Sequence, residues 1–167
     1  MVIKDLTVAE VDAFYNSFSL LMREGYGQFP HELREFFLTH DYLKDNFVNW
    51  LNRNIRKILI SIEADGRVSG FLIGDHTYGG VAFISWIGVL PEFRNQGIAS
   101  QLMKLYEIYV KSKQAHLIEL FTYEAMKQFY EKRGFIEIGR RKQGFYGQLN
   151  LIMNKEIGDW NIDKLPR

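Results

Sequence analysis

Cysteine is absent from this chain of 167 residues, which excludes a disulfide framework and any thiolate metal site and agrees with a cytoplasmic setting. Long apolar runs are missing as well. Nothing approaches the roughly 18 residues of a membrane-spanning helix, and the start Met1-Val2-Ile3-Lys4-Asp5 meets charge too early for a secretory signal core. An excess of one charge is also lacking: 21 Lys and Arg against 20 Asp and Glu leave a formal net charge of +1. That balance provides no broad positive field for nucleic acid or an anionic membrane, so any anion must be held locally, by backbone amides and a few arginines. No linker or internal repeat is visible. What is present is a composition that is 47% hydrophobic and 15% aromatic, enough for a substantial core. These features predict one soluble domain over residues 1–157 with a C-terminal tail over 158–167, as a monomer or homodimer.

Periodicity supplies the elements. Thr7-Val8-Ala9-Glu10 has the form of a capping box, and Val11, Phe14, Phe18, Leu21 and Met22 follow at helical spacing up to Gly25. Pro30 is placed to open a short helix with Leu33, Phe36 and Phe37, and Asp41 to cap a further one with Leu43, Phe47, Trp50 and Leu51. Ile58, Ile60 and Ile62 alternate with polar residues, and Asp65-Gly66 turns the chain into Val68–Ile73, a β-hairpin. Gly79-Gly80 marks the next turn. Later, His116–Phe121 reads as a buried strand, Tyr123–Arg133 as a helix stopped by Gly134, and 135–141 with 145–153 as a hairpin turned at Gln143-Gly144. The order predicts an α/β sandwich around one mixed central sheet of six to seven strands, with helices on both faces.

The most informative segment lies between these parts. Val81–Leu90 is an apolar run of strand length bounded by Gly80 and Pro91, whereas Ile98, Leu102, Leu105 and Tyr109 recur at helical spacing. The helix therefore starts at Gly97. Unpaired N–H groups and the positive end of the helix dipole meet at such a terminus, so the amides from Gln96 to Ser100 can converge on an anion. Gly97 lets the anion approach the backbone, and Arg94 adds a permanently charged, planar fork for phosphate oxygens.

Val89-x-Pro91-x-x-Arg94-x-x-Gly97-x-Ala99-x-x-Leu102 resembles the acetyl-CoA pyrophosphate-binding motif of the GNAT superfamily of N-acetyltransferases. Phe129-Tyr130-Glu131-Lys132-Arg133-Gly134-Phe135 is similar to the stretch that closes the cofactor site in that superfamily. The resemblance covers about residues 57 to 153. It implies a sheet splayed beside the fourth strand to admit the pantetheine arm, and direct transfer of an acetyl group from acetyl-CoA, as co-substrate, to a primary amine, without a metal. The cofactor contacts it implies are Val89, Leu90, Arg94, Asn95, Gln96, Gly97, Ile98, Ala99, Ser100, Tyr123 and Tyr130. In the superfamily an asparagine often stands where Tyr123 is found, and it contacts the pantetheine.

Such a transfer makes three chemical demands. The amine must lose a proton before attack, the developing oxyanion needs a preorganised N–H, and the departing thiolate needs a proton. The resemblance implies the strand backbone around Val89 and Leu90 for the second and Tyr130 for the third. Read by its spacing alone, Tyr130 is also an ordinary core aromatic. For the first, many members carry a glutamate at the positions held here by Ser85 and Trp86, so the match fails there. Glu119, on the next strand, is the candidate base, acting directly or through a water, although alternation equally aims it at solvent or a basic neighbour.

The acceptor is less defined. In the superfamily the first helices and the last hairpin shape the groove, so Tyr26–Asn54, with Glu32 and Glu35, and the hairpin around Tyr146 are the candidate selecting segments. The closing stretch Phe145–Lys155 resembles that of protein N-terminal acetyltransferases, which points to a peptide or lysine amine. A small-molecule amine such as a polyamine, aminoglycoside or amino acid is the alternative, as is a non-catalytic acyl-CoA sensor. Lys132, Arg133, Arg140, Arg141 and Lys142 are too short a basic run for a nucleic-acid module. His31, His40, His76 and His116 have no metal-ligand spacing.

Overall fold

The computed structural model describes residues 1–164; the last three residues of the expected tail, and the side chains of His76, Thr77 and Lys164, lie outside the described part. Seven strands form one mixed sheet in the order β1-β2-β3-β4-β5-β7-β6. The strands are β1 (Val2–Asp5), β2 (Arg56–Ile62), β3 (Val68–Tyr78), β4 (Val81–Val89), β5 (Leu117–Thr122), β6 (Ile136–Arg141) and β7 (Asn150–Glu156). The helices are α1 (Val11–Glu24), α2 (His31–Phe36), α3 (Lys44–Asn52), α4 (Ile98–Ser112) and α5 (Lys127–Glu131). By contacts the chain divides into one unit of Met1–Gly74 with Trp86–Lys104, and a second of Asp75–Ser85 with the described residues from Leu105 onward. The long elements β3, β4 and α4 run through both.

The first unit is built on an aromatic core. Phe14 of α1 meets the rings of Phe47 at 4.9 Å and Phe71 at 5.5 Å, and Phe18 meets Phe47 at 5.2 Å. All four side chains are fully buried. Removing one such ring costs about 3–5 kcal/mol, the transfer energy plus the cavity left behind. The Thr7–Glu10 box forms as expected, with the Glu10 carboxylate accepting from the Thr7 N–H and hydroxyl, but it opens a 3-10 turn that then feeds α1. The polar side of β2 is not at the surface: Ser61 is buried and shares a 2.9 Å hydrogen bond with Ser69 of β3. Both faces of that strand are covered, so alternation alone understated its burial.

Two local expectations are corrected. Asp41 does not cap α3; it ends a π turn over Phe37–Asp41, where its backbone carbonyl accepts from the Asn46 amide, and Leu43 precedes the helix instead. The last hairpin does not turn at Gln143-Gly144 into a strand at Phe145. Its connection continues through a 3-10 turn at Phe145–Gly147, and β7 begins at Asn150. The Asn150 side chain holds that connection by accepting from the Phe145 N–H. Strand β1 was unforeseen, since its four residues carry Lys4 and Asp5 and gain order only by antiparallel pairing with residues almost sixty positions later.

In the second unit, β5 pairs parallel with β4 and antiparallel with β7. One face of this part is covered by α4. Lys155 of β7 stands beside Ile118 of β5, and its ammonium meets Glu107 of α4 at 2.7 Å. Ile118, Leu120, Thr122, Leu151 and Met153 are buried on that face.

Candidate active site

The loop after β4 is shaped to leave amides exposed. A 3-10 turn at Pro91–Phe93 is followed by Asn95 at φ 63° and Gly97 at φ 78°, both left-handed. Glycine adopts this conformation freely and asparagine tolerates it, while other residues pay about 1–2 kcal/mol. The first helical hydrogen bond of α4 runs from the Gln101 N–H to the Gly97 carbonyl, at 3.0 Å. Among the described residues the N–H groups of Gln96, Gly97, Ile98 and Ala99 donate to no backbone carbonyl. A side-chain carbon added at Gly97 would find only the Gln101 amide, 3.7 Å away, so the space over this backbone is open. The result is an anion cradle of convergent N–H groups at a helix N-terminus. Arg94 is exposed beside it, steadied by a 3.2 Å hydrogen bond from its Nε to the Val89 carbonyl.

The strand leading to this loop has a defined outer edge. The Leu90 N–H donates to the Ser69 carbonyl of β3 at 2.9 Å, so backbone alternation turns the polar groups of Val89 and Ile87 to the opposite edge. On that edge the Ile87 carbonyl accepts from the Tyr26 hydroxyl at 2.9 Å, and the Val89 carbonyl is held by Arg94. The paired register of β4 with β5 covers only Val81–Ile84 against Leu117–Leu120, although β4 runs to Val89 and β5 to Thr122. Gly88 gives close packing beside this edge: a Cβ there would come within 2.9 Å of the Leu21 side chain and of the Tyr26 hydroxyl, which would have to shift.

Tyr130 is buried in the second unit, on the face covered by α4, where its phenol shares a hydrogen bond with Thr122. Burial pushes its pKa well above the ordinary value, helped by the neighbouring Tyr123, so the phenol is neutral at physiological pH. Phe129 and Phe135 pack their rings on it at 5.0 and 5.8 Å. Tyr123 precedes the 3-10 turn that leads into α5. The Arg133 guanidinium lies 3.6 Å from the Phe129 ring, and burial lowers its pKa.

Glu119 lies on the other face. It pairs with Phe83 of β4 and Asn154 of β7, and alternation along β5 sets it with Phe121 on a half-exposed surface. Phe121 is central there, with ring contacts to Phe83 at 5.1 Å and Phe145 at 5.2 Å and the Arg141 guanidinium 4.7 Å from its centroid.

The expected site residues thus fall into two groups. Val89, Leu90, Arg94, Asn95, Gln96, Gly97, Ile98, Ala99 and Ser100 belong to the first unit, and Glu119, Tyr123 and Tyr130 to the second. Sequence reasoning missed Asp75. Ser85, which stands where the resemblance leads one to expect a carboxylate, donates to the Asp75 side chain at 3.1 Å, so a carboxylate arrives there from β3 instead. Its signal was weak, because Asp75 stands with His76 and Thr77 at the polar end of its strand and has no motif of its own. Glu35 is engaged by Arg23 at 3.0 Å rather than standing ready for a cation. Among the described residues no group of three His, Asp or Glu could hold a metal ion, and no helix is long and apolar enough to cross a membrane.

A seven-stranded mixed sheet, with a glycine loop and a helix presenting free amides after its fourth strand, is the architecture of an α/β acyltransferase of the GNAT type. The chain belongs to the acetyltransferase (GNAT) family, whose sequence profile matches residues 16–135. The match begins well before the part of the chain that carries the motifs. Among solved structures it is similar to the paia N-acetyltransferase of Thermoplasma acidophilum in complex with coenzyme A (20% identity, 94% of this chain and 100% of that one, TM-score 0.74). It is also similar to the ribosomal-protein-alanine N-acetyltransferase of Brucella melitensis (18% identity, 94% and 100%, TM-score 0.73). A third likeness is to aminoglycoside 6'-acetyltransferase type Ii (20% identity, 100% and 99%, TM-score 0.72). At these identities the likeness establishes the fold. No curated protein matches the sequence.

Proposed function

We propose that this protein transfers an acetyl group from acetyl-CoA to a primary amine by direct attack, in the cytoplasm. The single observation that carries the reading is the open amide cradle at Gln96–Ala99, with Gly97 in a left-handed conformation and Arg94 beside it. In this reading the amides of Gln96–Ser100 and the Arg94 guanidinium bind the pyrophosphate, with Asn95 shaping the turn. Val89 and Leu90 flank the pantetheine and thioester, the Val89 N–H faces the developing oxyanion, and Tyr123 contacts the pantetheine. The solved relative that holds coenzyme A supports the choice of ligand.

The amine nitrogen forms a bond to the thioester carbonyl carbon, the carbon–sulfur bond breaks, and an amide and the free thiol of CoA result. Glu119 accepts the proton that the amine loses, directly or through one water, and the buried, neutral Tyr130 gives a proton to the thiolate. A carboxylate and a phenol in environments this different suit a base and an acid respectively. A peptide α-amine or a lysine amine is the first acceptor class, supported by the exposed Phe145 and Tyr146 on the β6–β7 connection. A small-molecule amine is the second.

CoA release measured with acetyl-CoA against peptides, free amino acids, polyamines and aminoglycosides tests the reading. Turnover with one class is expected. CoA binding without release in any of them would leave a non-catalytic acyl-CoA sensor instead.

A further inference from the structure

Arg141 and Glu119 are opposite charges on one half-exposed sheet surface. Arg141 pairs in the ladder with Asn150, and Phe121 with Ile152 two positions along β7, so Arg141 and Phe121 share a face. The guanidinium lies 4.7 Å from the Phe121 ring. Its neighbour Arg140 points to the other face, where Glu137 and Glu124 hold it at 2.6 and 2.9 Å. Among the described residues Arg141 makes no ion pair, and neither does Glu119. A stacked guanidinium keeps its in-plane N–H fork free for a carboxylate. The surface between the charges is aromatic, formed by Phe121 with Phe83 and Phe145.

An unpaired cation fixed on a ring, an unpaired carboxylate on the same face and an apolar floor between them match a ligand with an amine at one end and an anion at the other. The Arg141 guanidinium lies over Phe121, which is two positions along β5 from Glu119 and so about 7 Å away along the backbone, about the length of two extended residues. On the reading that this is an acetyltransferase, we propose that its acceptor is an amine carrying a carboxylate about two residues' length away, as in a peptide with an acidic second residue. The amine lies toward Glu119, the carboxylate engages the Arg141 guanidinium, and the intervening chain rests on Phe121 and Phe145. Arg141 is then a specificity-determining residue. It plays no part in acetyl-CoA binding or in proton transfer.

The test compares two matched acceptors, Ala-Asp-amide and Ala-Asn-amide, which differ in the side-chain charge. The wild-type protein is expected to acetylate the acidic peptide with a kcat/KM at least tenfold higher, mostly through KM. Arg141→Gln should abolish that preference and Arg141→Glu reverse it, while Arg141→Lys retains part of it. KM for acetyl-CoA should stay unchanged throughout, which separates lost recognition from misfolding. Equal rates with both peptides in the wild type, or a preference that survives Arg141→Glu, would overturn the inference and leave the acetyltransferase reading standing. Failure of both peptides and of every other amine to release CoA would overturn the two together.

Discussion

Glu119 and Tyr130 stand on opposite faces of the same sheet. Glu119 shares the half-exposed face of β5 with Phe121, while Tyr130 bonds to Thr122 on the face that α4 covers. In the proposed reaction Glu119 is the acceptor of the amine's proton and Tyr130 the donor to the thiolate. The two groups cannot exchange a proton directly and short-circuit the reaction. Their environments differ accordingly: Glu119 lies on a half-exposed surface, whereas burial keeps the Tyr130 phenol neutral.

Tyr130→Phe keeps the ring and most of the packing. It should lower kcat roughly a hundredfold, the lower end for general acid catalysis, with KM for acetyl-CoA changed little. Thr122 loses a partner, at a cost of about 1 kcal/mol in stability. Since burial raises the Tyr130 pKa above the ordinary 10.0, the phenol stays protonated through pH 7 to 10. The kcat profile should therefore show no alkaline fall in that range. Wild-type turnover in the phenylalanine variant, measured with chemistry limiting, would make Tyr130 a core residue only.

Gly97→Trp should weaken CoA binding at least tenfold, about 1.4 kcal/mol. The added side chain occupies the open space over the amides, and the left-handed backbone at φ 78° disfavours it further. Calorimetric titration with CoA on a variant that keeps its wild-type circular dichroism spectrum checks this. Unchanged affinity would remove the cradle from the site.

Glu119→Gln should reduce kcat about a hundredfold while leaving acetyl-CoA affinity intact. Asp75→Asn and Ser85→Ala provide the comparison, because Ser85 donates to Asp75 on the neighbouring strands. A loss seen with Asp75→Asn and absent with Glu119→Gln would move the base to the β3 carboxylate.

Stability should carry an acid-sensitive contribution from Glu137. Arg140 and Lys127 hold its carboxyl down to about 2 from an ordinary 4.5. A depressed carboxylate stabilises the fold above its unfolded value and loses that contribution as pH falls through its folded one. Glu137→Gln should therefore lower Tm at pH 7, and the difference should shrink between pH 4.5 and 2, the window set by those two values. High salt should reduce it too, since the pairs are at the surface. An equal Tm difference at pH 7 and pH 2 would mean that the side chain acts through packing.

The sequence by itself determined the strand, loop and helix around Gly97, the capped first helix and the two-glycine turn before β4. Each is written in residues adjacent in the chain: a terminus needs its cap nearby, a left-handed position needs its glycine in place, and an amphipathic period shows within a few turns. Family membership was legible for the same reason. Only the tertiary structure decided what depends on distant partners. Strand β1 exists because β2 accepts it, Ser61 is buried because Ser69 pairs with it, and β7 enters the sheet between β5 and β6. Asp75 reached Ser85, and Arg141 reached Phe121, through strand register. Register is set by pairing energies summed over whole strands, so a single residue's letter does not reveal which neighbour it will meet.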